Sequence, residues 1–301
     1  MDISSGGPSP YQTDPDDWAR RVRGSLLMAA CADALGASGA TRPARPDEPY
    51  RPPMRFGITT ARSLALTHHL VGHRGTVDEP TFPADVSVVP ELAVPSPDRR
   101  DDLVTAAAPP AWIAPIGLLP DLGHSAVADL ARRAAAAATD DGALVAAAAV
   151  QAVAVALAAR SPAMVRLRPA AFVQTLRQHA GHPGCAEIVR MAARAARHDP
   201  LVDALSEQFS DADPALTATG IAVAVFLTHH DDPVAAIAAA LLAPATGDVA
   251  AVMAAAMCGA SLGERRTPAR WGSRLQSSWL IWTAANRLAT LSRAAPGPGE
   301  R

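Results

Sequence analysis

The feature that most restricts the fold of this chain is a long succession of alanine-rich segments of helical length between Ile113 and Leu291. Gly, Pro or Asp marks most of their borders. The helices are predicted at 123–138, 142–160, 168–180, 184–197, 200–209, 214–230, 232–243, 248–263 and 273–292. Because no strands alternate with them, a parallel α/β sheet is excluded and an all-α bundle is expected.

The N-terminal part contributes two further predicted helices. From Asp17, the residues Trp18, Val22, Leu26, Leu27 and Cys31 form one apolar stripe, which predicts an amphipathic helix that ends near Gly36. A second helix is expected after Thr59 and through Leu70.

The remaining segments show no sustained helical period. The proline-rich stretch 72–110 is expected to be a long loop, with one VSVV run that would suit an isolated strand. We therefore expect a disordered leader at 1–16, one helical domain at 17–292 and a disordered tail at 293–301.

The composition excludes several classes of function. The residues are 49% hydrophobic but only 4% aromatic, which suits closely packed alanine-rich helices. All 27 basic residues are arginine, and we attribute this to GC-rich coding before phosphate recognition. A net charge of -2 predicts no nucleic-acid partner and no anionic membrane partner. The polar, acidic start carries no secretory signal, which predicts a cytoplasmic protein.

One apolar run, from Gly142 to Ala159, is long enough to cross a bilayer. It consists mainly of alanine and valine, and charged residues close it at both ends, so a buried central helix is expected. The three cysteines lie far apart in apolar contexts. They are expected to be reduced, buried side chains and not a disulfide or zinc framework.

Four short motifs stand in series along the chain. They are RVRGSLLMAACADALG at 21–36, ITTARSLAL at 58–66, WIAPIGLL at 112–119 and TGDVAAVMAAAMCGASLGERRTPARW at 246–271. In order and spacing they resemble the motifs of the ADP-ribosylglycohydrolase family: G-D-A-L-G, T-D-D-T, M-R-x-A-P-L-G-L, and G-D-T-D-T followed by P-x-x-W. The resemblance implies an orthogonal all-α bundle whose central cleft holds two Mg²⁺ ions and binds ADP-ribose.

The site residues that the resemblance implies are largely replaced here. The T-D-D-T segment reads Thr59, Thr60, Ala61 and Arg62, so both aspartates are missing. The G-D-T-D-T start keeps only its second aspartate, Asp248, after Thr246 and Gly247. Thr59 and Asp248 would be the remnant metal ligands, and no bound metal or other cofactor is expected because Mg²⁺ requires many oxygen ligands.

Further positions implied by the resemblance have changed as well. The residues that precede A-P-L-G, which line the ribose and phosphates in family enzymes, include Trp112 here. Asp33, from the G-D-A-L-G motif, and Asp248 are the residual candidates for catalysis. The expected ligand pocket comprises Thr59, Thr60, Ala61, Arg62, Trp112, Thr246 and Asp248.

Three interpretations of function stay open at this point. The first is an inactive family member that binds an ADP-ribose-like or phosphorylated ligand, or a protein partner, with an Arg62–Asp248 ion pair in the place of the metals. The second is an active hydrolase that removes ADP-ribose from a protein or small molecule, using Asp33 and Asp248. The third is a structural module that binds a partner through residues 72–110.

Two other groups of residues have side chains that suit a binding site. His69 and His73 have the spacing of two metal ligands on a helix, but Gly72 weakens the helix there, so a metal site is disfavoured. Trp279 and Trp282 would suit a protein interface, although packing of the final helix against the bundle is the more ordinary interpretation.

Overall fold

Helices make up most of the part of the chain that the computed structural model describes, namely residues 15–37, 54–78, 81–82, 108–161, 167–243 and 246–291. The first half contains α1 (Pro15–Ala37), α2 (Ile58–Gly72), α3 (Pro109–Trp112), α4 (Ala114–Gly117), α5 (His124–Ala136), α6 (Gly142–Arg160) and α7 (Pro169–His179). The second half contains α8 (Pro183–Ala195), α9 (Leu201–Phe209), α10 (Pro214–His229), α11 (Pro233–Leu241), α12 (Gly247–Leu262), the 3₁₀ turn η1 (Glu264–Arg266), α13 (Ala269–Gly272) and α14 (Ser278–Ala289).

Most predicted helices are confirmed, and most of their bounds agree to within a few residues. The last predicted helix, 273–292, begins too early, because α14 starts only at Ser278. Leu275 instead forms an isolated parallel bridge with Met54, and Ser277 has a left-handed φ of 57° that interrupts the helical path. The loop predicted at 72–110 ends slightly earlier than expected, because α3 already begins at Pro109. The VSVV run and most of the predicted leader and tail lie outside the described residues.

The long apolar helix α6 lies in the core. Almost all of its side chains from Ala146 to Ala159 are buried, and Asp141 caps its first turn by accepting hydrogen bonds from two backbone N–H groups. Its length and composition would suit a membrane span, but 72% of its apolar window is buried inside the protein. That burial is typical of a core helix, as the sequence predicted.

Helices α1 and α12 cross in direct backbone contact. A Cβ atom on Gly259 would lie 2.1 Å from the carbonyl oxygen of Gly24, and one on Gly24 would lie 2.5 Å from the carbonyl oxygen of Gly259. The buried Ser25 hydroxyl donates a hydrogen bond to the carbonyl of Ala256 beside this crossing, at 2.8 Å. The crossing fixes the two helices whose far ends form the candidate site.

A buried arginine joins three helices at the opposite end of α1. Arg21 is paired with Asp17 at 2.7 Å and donates hydrogen bonds to the carbonyls of Ala159, Ser161 and Ser261. These carbonyls belong to the C-terminal ends of α6 and α12, where a cation is favourable. Arg21 therefore serves packing and is no part of a site.

All three cysteines, Cys31, Cys185 and Cys258, are buried and free of disulfides. Burial raises the pKa of each thiol to about 12. This agrees with the expectation of small buried apolar side chains.

Candidate functional site

The beginning of α2 is capped by a side chain from another helix. Gly57 occupies the N-cap position of α2 and has no side chain with which to cap it. Asp33, near the end of α1, supplies the acceptor: its Oδ2 atom accepts hydrogen bonds from the backbone N–H groups of Gly57 at 2.8 Å and Thr60 at 3.0 Å. A Cβ atom at position 57 would approach the other Asp33 oxygen to 2.9 Å, so only glycine allows this contact without a shift. Asp33 thus ties α1 to the start of α2.

The same carboxyl group lies in a strongly desolvated place. Burial raises the pKa of Asp33, and the neighbouring Asp248 carboxylate raises it further, whereas the donors on Thr60 and Gly57 act to lower it. The Thr60 hydroxyl lies close to this carboxyl, but its geometry falls short of an ordinary hydrogen bond. Asp33 therefore keeps its proton to a higher pH than an exposed aspartate.

The beginning of α12 meets the same end of α1. Asp248 lies in the first turn of α12, where the helix dipole favours a negative charge. A Cβ atom on Gly36 would lie 3.0 Å from the Cβ atom of Asp248, so the two backbones are close. Thr246, the N-cap residue, is buried, and its hydroxyl has no hydrogen-bond partner among the described residues. The N-terminal ends of α2 and α12 therefore converge on the last turns of α1.

The start of α2 also forms one wall of a narrow cleft. Thr59, Thr60 and Ala61 are all buried. The cleft is largely apolar and leaves room for roughly one water molecule. Its walls are formed by Leu26, Ala29, Thr59, Thr60, Ser63, Leu64, Ala111, Ala114, Val252, Ala256 and Ile281.

Of the residues that line this cleft, only Thr59 and Thr60 belong to the ligand pocket predicted from the sequence. Ser63 follows Thr59 by four positions and so lies on the same face of α2, which is a helical spacing that the sequence contained. Ile281 comes from α14, and no local pattern indicates that α14 packs on α2.

Arg62 is half-buried and is not among the residues that line this cleft. Burial lowers the pKa of its guanidinium group. Arg62 and Asp248 each take part in an interaction within the protein, and the expected ion pair between them stays a prediction.

Trp112 is fully buried in α3, which packs on α2 and α12. Its ring lies 6.3 Å from the ring of Phe82, centroid to centroid. Its neighbours Ala111 and Ala114 line the cleft. Trp112 therefore supports the cleft from the core.

The carboxylates described at these helix ends are too few to form by themselves the ligand set of a pair of magnesium ions. Two carboxylates, Asp33 and Asp248, are close to each other here, and one oxygen of Asp33 already accepts two hydrogen bonds. Each Mg²⁺ ion requires six oxygen ligands in near-octahedral geometry. Within the described ranges, no three His, Cys, Asp or Glu side chains are grouped closely enough to hold a metal ion.

The histidine pair at the end of α2 has a packing role. The rings of His69 and His73 are stacked with centroids 4.3 Å apart, and Phe82 contacts His69 edge-on at 5.1 Å. The Nε2 atom of the buried His69 accepts a hydrogen bond from the backbone N–H of Asp78 at 3.0 Å. This nitrogen is therefore engaged in holding the turn after α2, in line with the disfavoured metal site.

Comparison with known proteins identifies the family. The family model of the ADP-ribosylglycohydrolases matches residues 51–297, which is well over half of the chain. A solved structure named "ADP-ribosylglycohydrolase-related protein complex" shares the fold with a TM-score of 0.61 at 18% sequence identity. That similarity covers 92% of this chain and 99% of the other. No curated protein matches. The all-α architecture and the family match together show that this chain belongs to the ADP-ribosylglycohydrolase family.

Proposed function

We propose that this chain is a non-catalytic member of its family that binds an ADP-ribose-like or otherwise phosphorylated ligand near the converging ends of α2 and α12, with Arg62 as the group that binds the anion. The observation that carries the proposal is the engagement of Asp33. One oxygen of this carboxylate caps α2 through two hydrogen bonds. Its role is thus structural, and Asp248 alone does not replace the ligand set of a metal pair.

The positive charge of Arg62 also disfavours a metal ion at this place. Two unit charges about 4 Å apart interact by about 4 kcal/mol at an effective dielectric constant near 20, and a divalent ion would roughly double the repulsion. A cation on α2 therefore opposes a metal and favours an anion. The guanidinium group binds phosphate in a two-pronged geometry, and the N-terminal ends of two helices add positive potential.

Isothermal titration of ADP-ribose tests this function. We expect binding that is unchanged when magnesium is replaced by a chelator, and about tenfold weaker in an Arg62→Gln variant because a charged hydrogen bond is lost. Arg194→Gln, at an exposed position on α8, is the matched control and should bind as the wild type does. Binding that requires magnesium would overturn the non-catalytic assignment, and no heat at all would overturn the ligand assignment.

A second candidate function rests on the proximity of Asp33 and Asp248. A carboxyl group with a raised pKa beside a second carboxyl group is an arrangement that can serve as general acid and base, so an active hydrolase is the alternative. Release of ADP-ribose from a modified protein, abolished in Asp248→Ala, would establish it. Urea denaturation of Asp248→Ala is the control that separates the loss of a catalytic group from a loss of folding.

A further inference from the structure

The C-terminal segment that comprises η1, α13 and α14 has an unusual charge. From Arg265 to Leu291 the chain contains five arginines and no acidic residue, although the whole protein has a net charge of -2. Exposed positions hold Arg265, Arg266, Arg270 and Arg287. We call this the C-terminal basic face. A segment with exposed arginines and no acidic residue creates a local positive potential that the net charge conceals.

Two tryptophans lie within this face. Trp279 is 66% exposed and Trp282 is 39% exposed, and together with Leu242 they are the exposed large apolar side chains of the described chain. Their exposure corrects the expectation that they pack the final helix on the bundle. Helix α14 packs on α1 and α2 through Ile281, Ala284, Ala285 and Leu288 instead. An exposed tryptophan is a large apolar surface for which packing within the fold gives no reason.

Arg23 of α1 connects the elements of the face. Its guanidinium group lies over the Trp282 ring, 5.4 Å from the centroid, and donates hydrogen bonds to Asn286 at 3.0 Å and Glu264 at 3.1 Å. Glu264, an acidic residue at the edge of the face, is thereby neutralised. The arrangement holds Trp282 in place without covering Trp279, so the face is ordered before any partner binds.

We propose that the C-terminal basic face binds an acidic segment of another protein, with Trp279 and Trp282 receiving its apolar side chains. Tryptophan and arginine are the residues that most often dominate protein interfaces. The arginines complement acidic groups of the partner. Neither α13 nor α14 carries an acidic residue that would repel such groups. A long nucleic acid is a poorer fit, because the net charge of the whole chain is negative and Arg23 already covers one face of Trp282.

The test uses a fluorescein-labelled peptide of Asp, Glu and Leu residues, a matched peptide with Asn and Gln in place of the acids, and a single-stranded DNA oligonucleotide. The full-length protein is expected to bind the acidic peptide best, with an affinity that falls as salt is raised. Trp279→Ser and the double variant Arg265→Glu, Arg266→Glu should each weaken binding about tenfold. Trp279 is exposed, so the first variant is expected to fold.

The double variant Arg194→Glu, Arg197→Glu, an equal change of charge at two exposed positions at the end of α8, is the control and should leave binding unchanged. Equal binding of the two peptides, tighter binding of the oligonucleotide, no binding of the acidic peptide, or an equal loss in the control variant would each overturn the proposal. Binding of ADP-ribose should be unaffected by the Trp279→Ser variant, which separates this surface from the proposed ligand site.

Discussion

One oxygen of the Asp33 carboxylate accepts a hydrogen bond from the backbone N–H of Thr60, 3.0 Å away, and so joins the end of α1 to the first turn of α2. In the motif that the sequence resembles, an aspartate at this position suggests chemistry. In this protein Asp33 caps α2, because the glycine at the N-cap of α2 has no side chain that could do so. Because Asp33 caps α2, its replacement should change the stability of the fold.

Removal of the cap should destabilise the fold. Asp33→Ala leaves two backbone N–H groups without their acceptor, and we expect the free energy of unfolding to fall by about 1–3 kcal/mol. Asp33→Asn keeps an acceptor oxygen and should lose clearly less. Urea denaturation followed by circular dichroism measures both variants. Equal and negligible effects would show that the capping role is unimportant.

The titration of Asp33 should appear in the pH dependence of stability. Burial raises the pKa of Asp33, so the folded protein holds this proton more tightly than the unfolded chain does. Its contribution to stability is therefore fully present below the ordinary aspartate range, near pH 4, and is lost as the pH rises through the raised value.

The measurable quantity is the free energy of unfolding of the wild type minus that of Asp33→Asn, which cannot titrate at this position. This difference should decrease as the pH is raised from about 4 toward neutrality. A difference that increases with pH would mean that the carboxyl group has a lowered pKa, and with it an unrecognised cation beside it.

The crossing of α1 and α12 should not tolerate a single added methyl group. Gly259→Ala would place a Cβ atom 2.1 Å from the carbonyl oxygen of Gly24, which is backbone and cannot rotate away. We expect a loss of about 3 kcal/mol in the free energy of unfolding, since overpacking forces the helices apart. Gly142→Ala, where nothing lies within 4 Å of the new atom, is the matched control. It should be neutral or slightly stabilising, and a similar loss in both variants would contradict the crossing geometry.

The thiols should be unreactive in the folded protein. Cys31, Cys185 and Cys258 are buried and burial raises the pKa of each to about 12, so little thiolate exists near neutral pH. Ellman's reagent should modify none of them before unfolding and all three in denaturant. Rapid modification of one thiol under native conditions would locate an opening of the core beside it.

Local patterns in the sequence were sufficient for most of the helices. The apolar stripe from Trp18 to Cys31 predicted α1, and the uncharged run from Gly142 predicted the buried helix α6. Each follows from local periodicity and composition, which do not depend on distant contacts. The series of family motifs added the fold, and the family match confirms that identification.

Long-range contacts account for what the sequence did not predict. The start of α14 depends on the bridge between Met54 and Leu275, which are far apart in the chain. Packing of the final helix on the bundle was the more ordinary interpretation of Trp279, whereas its exposure depends on which face of α14 meets α1 and α2.

The most direct test of the central claim is a turnover assay in which the purified protein is incubated with an ADP-ribosylated protein and saturating magnesium, and free ADP-ribose is measured. The predicted result is no release above the rate without protein, and no difference between the wild type and Asp248→Ala. Release that depends on magnesium and disappears in Asp248→Ala would contradict the account and show that the site is catalytic.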